Sequence, residues 1–267
     1  MDPLTSLYNR SPRFLQNLHI TAYGMRNSVR FRRRDRLIRD IAFTERLDRQ
    51  AQIEFVASGL KDIISHAVTT VPFYRRYAGL KADLDRRSVF EVLKELPVTN
   101  KETINKDPRA FLAEGGPRGV VSRTSGTTGT PFTVHMDART FLLADALWWR
   151  RTLWAGYEPG DWIARLVGDP VIPLKIKNPV EPWRISRFDR RYYFSTFHLT
   201  RDAAGRIGSF LNERRPAFIM GYPSALEILC HYLKEAGFRR EWDLKKVLFS
   251  SEPMHAHQEM VIQEVLR

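Results

Sequence analysis

Cysteine is almost absent from this chain of 267 residues, in which Cys230 stands alone. A single thiol cannot form a disulfide within the chain, and it cannot supply a multi-cysteine zinc site. Such sparse use of cysteine is typical of proteins in a reducing compartment, so the sequence predicts a cytoplasmic protein.

Long apolar runs are lacking as well. The stretch 141–149 is interrupted by Asp145 and is too short to span a bilayer. Polar residues such as Asp2, Asn9 and Arg13 are scattered through the N-terminal region, which argues against a secretory signal. We therefore expect a soluble chain without a membrane span.

Acidic residues are outnumbered, with 30 Asp and Glu against 43 Lys and Arg, which gives a net charge of +13. The densest basic run extends from Arg26 to Arg39 and contains one acid, Asp35. A run of this kind can bind nucleic acid, an anionic membrane face or a phosphorylated substrate, but it is more typical of a solvated helix or arm. Basic charge alone does not specify a ligand, and nucleic acid is not the partner we expect.

The composition, 43% hydrophobic and 12% aromatic, is that of a folded globular protein. The pattern suggests a basic, helical N-terminal arm over residues 1–51, followed by the main domain over 52–267. Helices are predicted at 53–67, at 138–154, from Thr200 to about Arg215, from Ser224 to about Gly237 with Leu226, Ile228, Leu229 and Leu233 on one face, and after Pro253. Strands are predicted at 119–123, 132–134, 162–167, 217–220 and 246–249.

The last third of the sequence alternates strand, loop and helix twice, which predicts parallel strands in an α/β sheet. Two pairs have the spacing of a capping box, Thr99 with Glu102 and Ser224 with Glu227. The stretch 169–191 gives no predicted element. His255 and His257 are expected on different sides of a helix, and no metal site is predicted there.

The segment Thr124–Pro131 reads Thr-Ser-Gly-Thr-Thr-Gly-Thr-Pro. Glycines let a phosphate approach the backbone, while amides and hydroxyls donate hydrogen bonds to its oxygens. The segment lacks the Gly-Lys-Ser/Thr ending of a Walker A loop, and its glycine spacing does not fit a dinucleotide fingerprint. Its composition alone leaves two alternatives open, a phosphate site and a flexible surface hairpin.

The order of residues in this segment resembles the signature of the adenylate-forming superfamily of acyl-CoA synthetases. Further stretches look like landmarks of its phenylacetate–CoA ligase and CapK-like branch, in the expected order over roughly 52–267. These stretches are Val71-Pro72-Phe73-Tyr74, Leu96-Pro97-Val98-Thr99-Asn100-Lys101, Gly221-Tyr222-Pro223-Ser224 and Ser251-Glu252-Pro253.

The resemblance implies a two-step reaction, in which a carboxylate attacks the α-phosphate of Mg-ATP and the acyl group then passes to coenzyme A or another acceptor. Both steps depend on charge stabilisation and positioning. The resemblance assigns the ATP phosphates to Thr124, Ser125, Gly126, Thr127, Thr128, Gly129 and Thr130. It assigns the adenine and acyl pocket to Gly221, Tyr222, Pro223, Ser251, Glu252 and Pro253, and Arg123 could add positive charge nearby.

The sequence departs from the pattern of the family in two ways. Thr130 and Phe132 stand where many members have lysine. The acidic metal-binding motif, the ribose-binding aspartate, the hinge and the C-terminal domain with its catalytic lysine have no counterpart, so we expect an incomplete N-terminal large domain that is inactive alone.

Two other functions stay open at the level of sequence. One is a non-catalytic remnant that binds a nucleotide or an acyl group, and the other is a polyanion-binding protein that uses the Arg-rich run. The sequence also does not decide which carboxylic acid is the substrate. Aryl acids, fatty acids and a building block of a cell-surface or capsular polysaccharide all remain candidates. The sequence does not indicate an oligomeric state.

Overall fold

The computed structural model describes residues 3–30, 34–116, 119–123 and 133–267. The helices are α1 Pro3–Arg10, α2 Arg13–Arg30, α3 Arg34–Thr44, α4 Arg49–Thr70, α5 Leu80–Asp83, α6 Val89–Lys94, α7 Lys101–Lys106, α8 Ala138–Trp154, α9 Arg201–Arg214, α10 Pro223–Glu235 and α11 Ala256–Leu266. The strands are β1 Val120–Arg123, β2 Thr133–Met136, β3 Ile163–Val167, β4 Trp183–Ser186, β5 Arg191–Ser195, β6 Phe218–Gly221 and β7 Lys246–Phe249.

The described residues form two compact units. The first combines residues 3–30 with 151–267, and the second comprises 34–116, 119–123 and 133–150. The predicted division at residue 51, into an arm and a partial ligase domain, stays a prediction.

The second unit has a small helical core around α4. Ile64 and Val68 of this helix are buried, and they belong to one apolar cluster with Val89 and Val92 of α6. The helix begins earlier than the predicted residue 53 because the Asp48 carboxylate accepts a hydrogen bond from the Ala51 amide at 2.8 Å. It ends before Pro72, as the sequence predicts.

The first unit is built on a sheet with strand order β4-β5-β3-β6-β7. The strands β5, β3, β6 and β7 are parallel, and β4 runs antiparallel to β5 at one end. Every residue of β6 is buried, which is typical of a parallel strand covered on both faces. The predicted α/β class with parallel strand-loop-helix units is confirmed.

The core of this sheet is packed by the two helices that flank β6. Ile207 and Leu211 of α9 and Leu226 and Leu229 of α10 are fully buried in the same cluster as Ile219 of β6. Burying such aliphatic side chains stabilises the fold by about 1.5–3 kcal/mol each, before entropy is counted. The helical spacing that predicted these helices therefore reflects their contact with the sheet.

Strand β4 lies in the stretch 169–191, for which the sequence predicted no element, and β5 begins at the last residue of that stretch, Arg191. Arg184 sits in the middle of β4 and is 6% exposed, so the strand does not show the apolar pattern of a buried strand. Arg190 separates the two strands in a left-handed conformation with φ 52°, where sequence signals usually show glycine or asparagine. Because charged residues occupy these positions, the sequence does not show the apolar pattern and turn residues that would predict β4 and β5.

Helix α2 covers the outer edge of β4. The side chain of Asn17 accepts a hydrogen bond from the Ile185 amide at 3.0 Å, and Thr21 Oγ1 accepts one from the Arg187 amide at 3.3 Å. Exposed strand edges favour unwanted pairing with other chains, and pairing their amides with side chains removes that risk. Helix α2, which belongs to the predicted basic arm, thus covers the exposed edge of the sheet.

Of three helix caps that the sequence predicts, one is confirmed by the structure and two are wrong. Thr200 caps α9 as predicted, since its hydroxyl accepts a hydrogen bond from the Ala203 amide. The predicted capping box of Thr99 is wrong, because Asn100 caps α7 instead. The predicted box of Ser224 is also wrong: α10 begins at Pro223 after Tyr222, with no cap from the side chain of Tyr222 itself.

Among the helices of the described ranges, none has both the length and the apolar character needed to cross a bilayer.

Candidate functional site

The Gly/Thr segment is bracketed by a β-hairpin in the second unit. Strands β1 and β2 are antiparallel, and Arg123 pairs with Thr133, so the two ends of the segment are neighbours. The seven predicted phosphate-binding residues from Thr124 to Thr130 lie outside the described residues. Both flanking strands occur close to where the sequence predicts them.

Gly119 lets the base of this hairpin close. A Cβ atom at this position would overlap the carbonyl group of Met136 on the opposite strand. Because glycine has no side chain, the two backbones can approach at the point where the hairpin begins. The glycine therefore fixes the pairing that brings residues 123 and 133 together.

The other predicted site residues belong to the first unit and follow the carboxyl ends of its parallel strands. Gly221 ends β6, Phe249 ends β7, and the two residues are paired in register. Open α/β sheets bind ligands outside the carboxyl ends of their strands. The structure therefore brings the predicted segments 221–223 and 251–253 to the same edge of one sheet.

Tyr222 reaches from the end of β6 toward the loop after β3. A Cβ atom on Gly168 would lie 3.6 Å from Cε2 and 3.7 Å from the hydroxyl of Tyr222. The preceding Gly221 has no room for a side chain, since its Cβ would be 2.9 Å from the carbonyl oxygen of Leu166. The aromatic ring is thus placed at the carboxyl edge by tight backbone packing.

Glu252 links the two predicted segments directly. Its Oε2 accepts a hydrogen bond from the backbone N–H of Ser224 at 3.1 Å, in the first turn of α10. A carboxylate at this point satisfies a free amide and interacts favourably with the helix dipole. Because the N-terminus of α10 already has an anion, a phosphate group is not expected to bind there.

The loop after β7 contains an unusual backbone conformation. Ser251 has φ 70°, which is uncommon for a residue with a side chain, and its hydroxyl lies 3.2 Å from that of Ser250. Such conformations occur often in ligand-binding loops. The sequence gives no sign of this conformation, because serine has no special preference for it.

Arg151 is a residue of this edge that the sequence analysis missed. Its Nη1 donates a hydrogen bond to the carbonyl oxygen of Phe249 at 2.9 Å. Nε and Nη2 of the same guanidinium are buried without a hydrogen-bond partner in the described part of the chain. The arginine retains donor capacity at the end of β7, although 98 residues separate it from that strand.

Ser195 and His198 form a buried pair at the end of β5. Ser195 Oγ lies 2.7 Å from His198 Nδ1, and His198 Nε2 lies 2.7 Å from the carbonyl oxygen of Ile176. A carbonyl oxygen only accepts, so Nε2 donates to Ile176, and in the tautomer with its hydrogen on Nε2 the Nδ1 atom accepts a hydrogen bond from the Ser195 hydroxyl. With Ser195 fully buried, the pair anchors residue 176 and does not present a nucleophile.

His255 and His257 are not arranged as the sequence predicts. Their rings are stacked, with centroids 5.7 Å apart, because His255 precedes α11 as its N-cap and so does not follow helical geometry. Glu227 of α10 supplies the acidic neighbour that the sequence did not reveal, at 3.3 Å from His257 Nε2. Within the described ranges, no group of three or more His, Cys, Asp or Glu residues has an arrangement that could hold a metal ion.

The sheet and its flanking helices define an open α/β protein, with the predicted site segments at the carboxyl ends of its strands. Solved structures with a similar fold include those of 2-hydroxyisobutyryl-CoA ligase. In complex with 2-HIB-AMP and CoA in the thioesterification state, that protein matches with a TM-score of 0.59 and 23% identity, over 82% of this chain and 48% of the ligase.

Two further structures of the same ligase match similarly. An open conformation with 2-HIB-AMP and CoA has a TM-score of 0.58 and 21% identity, over 82% of this chain and 52% of the ligase. The postadenylation state with 2-HIB-AMP has a TM-score of 0.54 and 19% identity, over 81% and 48%. No protein-family model matches the sequence, and no curated protein matches it either.

This chain thus has the fold of part of an acyl-CoA ligase, and it spans about half the length of the ligase structures that it matches. At these levels of identity the likeness establishes the fold alone.

Proposed function

We propose that the chain is part of an enzyme that activates a carboxylic acid with ATP and transfers the acyl group to coenzyme A or another acceptor. The observation that carries this proposal is the likeness in fold to 2-hydroxyisobutyryl-CoA ligase. The Thr124–Pro131 sequence supports it independently, because the adenylation signature falls between two paired strands.

The proposed roles follow the chemistry of the residues. The amides and hydroxyls of Thr124–Thr130 bind the β- and γ-phosphates of ATP. Tyr222 offers an aromatic face for a base or an acyl group at the carboxyl edge, and Ser251 offers a hydroxyl there. ATP with Mg²⁺ supplies the phosphorus that the carboxylate attacks, and the thiol of coenzyme A supplies the acyl acceptor.

The carboxyl edge fits an adenylate in two respects. Arg151 has buried donor atoms without a partner in the described part of the chain, at the end of β7. The Glu252 carboxylate accepts a hydrogen bond from the Ser224 amide in the first turn of α10, which favours the neutral parts of a ligand at that point.

We further propose that the protein belongs to the phenylacetate–CoA ligase and CapK-like branch, on the basis of its landmark stretches. The 267-residue chain alone should not complete the reaction, since its sequence has no counterpart of the acidic metal-binding motif or the catalytic lysine of that branch. Its substrate is then a small carboxylic acid, either a free aryl or fatty acid or a saccharide-linked acid.

The test is calorimetric titration of the chain with Mg-ATP and with a stable acyl-sulfamoyl adenosine, which mimics the acyl-adenylate. Both should bind, the mimic more tightly, because it occupies the nucleotide and acyl positions together. Thr127→Ala should weaken ATP binding by about tenfold, the loss typical of one hydrogen bond to a charged group. Pyrophosphate release by the chain alone should be absent.

Thr69→Ala is the matched control, since Thr69 is an exposed threonine on α4 and should leave ATP affinity unchanged. Failure of both ligands to bind at millimolar concentration would overturn the proposal. An equal loss of affinity in the two threonine variants would remove the assigned role of the Gly/Thr segment. Robust pyrophosphate release would overturn the proposed inactivity alone.

A further inference from the structure

A cavity in the first unit is lined by none of the residues assigned above. It occupies about 920 Å³ between helices α1 and α2 on one side and the loop 169–175 on the other. All of these elements belong to the first unit. The volume is within the range of about 300–1,000 Å³ that is usual for small-molecule sites.

The walls of this cavity are largely apolar. Val171, Ile172 and Pro173 form a buried wall on the loop side, and Ile20 and Tyr23 face the cavity from α2. Apolar and aromatic walls with a few polar groups are characteristic of sites that enclose an organic molecule.

The charged groups around this cavity are mostly basic. Arg10, Arg26 and Lys175 belong to its lining. Asp169 is the one carboxylate among the described lining residues, and its Oδ2 is paired with Arg165 Nε at 3.2 Å. The cavity therefore combines an apolar interior with an excess of positive charge, which complements an anionic group on an apolar body.

Tyr8 of α1 contacts the loop 169–175 on the other side of the cavity. Its hydroxyl donates a hydrogen bond to the carbonyl oxygen of Val171 at 2.6 Å, across 163 residues of sequence. Burial raises the pKa of Tyr8 to about 12, so the phenol stays protonated and remains a donor at neutral pH. This hydrogen bond thus connects α1 with the loop on the opposite side of the cavity.

We propose that this cavity binds an amphipathic anion, a molecule with a linear or flat apolar body and one terminal anionic group such as a carboxylate. The apolar body lies against Ile20 and the 171–173 wall, and the anionic group pairs with Arg26 and Lys175. The proposal does not depend on the reaction above, because the lining includes none of the residues assigned to the adenine and acyl pocket.

The experiment follows the fluorescence of 1-anilinonaphthalene-8-sulfonate, an anionic apolar probe, in the absence of ATP. Dodecanoate should displace the bound probe, while dodecanol and inorganic phosphate should displace it poorly, because each has only one of the two required properties. The double variant Arg26→Glu with Lys175→Glu should lose affinity for dodecanoate by about tenfold or more.

Arg36→Glu is the matched control, because Arg36 is an exposed arginine on α3 that does not line the cavity. It should retain the affinity of the wild type, and circular dichroism should show that every variant is folded. The proposal is overturned if the probe does not bind, if dodecanol competes as well as dodecanoate, or if Arg36→Glu weakens binding as much as the double variant.

Discussion

Gln16 accepts a hydrogen bond from the guanidinium of Arg184, with 2.6 Å between Oε1 and Nε, although 168 residues separate them in the sequence. Both side chains are buried, at 3% and 6% exposure. The amide of Gln16 also donates to the carbonyl oxygens of Tyr8 and Ser11. Burial lowers the pKa of Arg184, so the charged side chain depends on partners of this kind.

Gln16→Leu should destabilise the first unit strongly. The substitution removes the acceptor of a buried guanidinium nitrogen, and leaving a buried charged donor unpaired costs about 2–4 kcal/mol. Urea unfolding followed by circular dichroism measures the change. Gln50→Leu is the control, since Gln50 is exposed and contacts only Glu54 among the hydrogen bonds described, and it should change stability by at most about 0.5 kcal/mol. Equal effects of the two substitutions would show that the buried pair has no special role.

Glu252→Ala should loosen the N-terminus of α10. The Ser224 amide loses its acceptor, and we expect a loss of about 0.5–1 kcal/mol, typical of a helix cap. Glu252→Gln should recover part of this loss because its side chain still offers an acceptor. Hydrogen exchange of the Ser224 amide gives a local measurement. Glu241→Ala, at an exposed position beyond the helix, should leave that exchange rate unchanged, and faster exchange in this control would argue against the cap.

His198→Ala should release the segment around Ile176 from the end of β5. Two buried hydrogen bonds are lost and Ser195 is left without its partner, so the expected cost is about 2–4 kcal/mol. Thermal melting reports the effect. His66→Ala removes an exposed histidine from α4 and should shift the melting temperature little. A small shift in both variants would mean that solvent replaces the lost bonds.

Cys230 should make stability depend on alkaline pH. Burial raises the pKa of its thiol from an ordinary 9.0 to about 12 in the folded chain. The unfolded thiol ionises first as pH rises, so this contribution to stability is complete below about pH 9 and is lost between about pH 9 and 12. Unfolding free energies at about pH 8 and about pH 10.5 should differ more for the wild type than for Cys230→Ala. An identical pH dependence of the two proteins would contradict the buried, protonated thiol.

The buried position of this thiol also predicts its reactivity. Iodoacetamide should modify Cys230 only after unfolding, because a protonated and enclosed thiol is a poor nucleophile. The rate with and without urea, followed by mass spectrometry, gives the comparison. Rapid modification of the folded chain would contradict the burial of Cys230.

Much of the fold could be predicted because its signals are local. The helical spacing around Leu226 and Leu229 predicted α10, and the short apolar run 217–220 predicted β6. The capping role of Thr200 involves only the four consecutive residues 200–203 and was also predicted correctly. The two capping predictions that failed show the limit. The adjacent Asn100 caps α7 in place of Thr99, and at α10 the distant Glu252 accepts the hydrogen bond of the Ser224 amide.

The candidate site was less accessible to prediction. Residue order alone singled out Tyr222 and Glu252, but it did not reveal that Glu252 caps the helix that follows Tyr222. Arg151 was missed because its contact with Phe249 joins residues distant in the sequence. The functional roles of these residues stay predictions.

The sequence by itself determined the α/β class and the parallel strands, and it singled out the segment that resembles an adenylation signature, because these depend on periodicity and on neighbouring residues. Only the tertiary structure decided that Asn17 and Thr21 close the edge of β4, that His255 stacks on His257, and that a basic cavity lies under the N-terminal helices. Each of these features requires groups that chain folding brings together, and no local pattern records which distant partner a buried polar group will find.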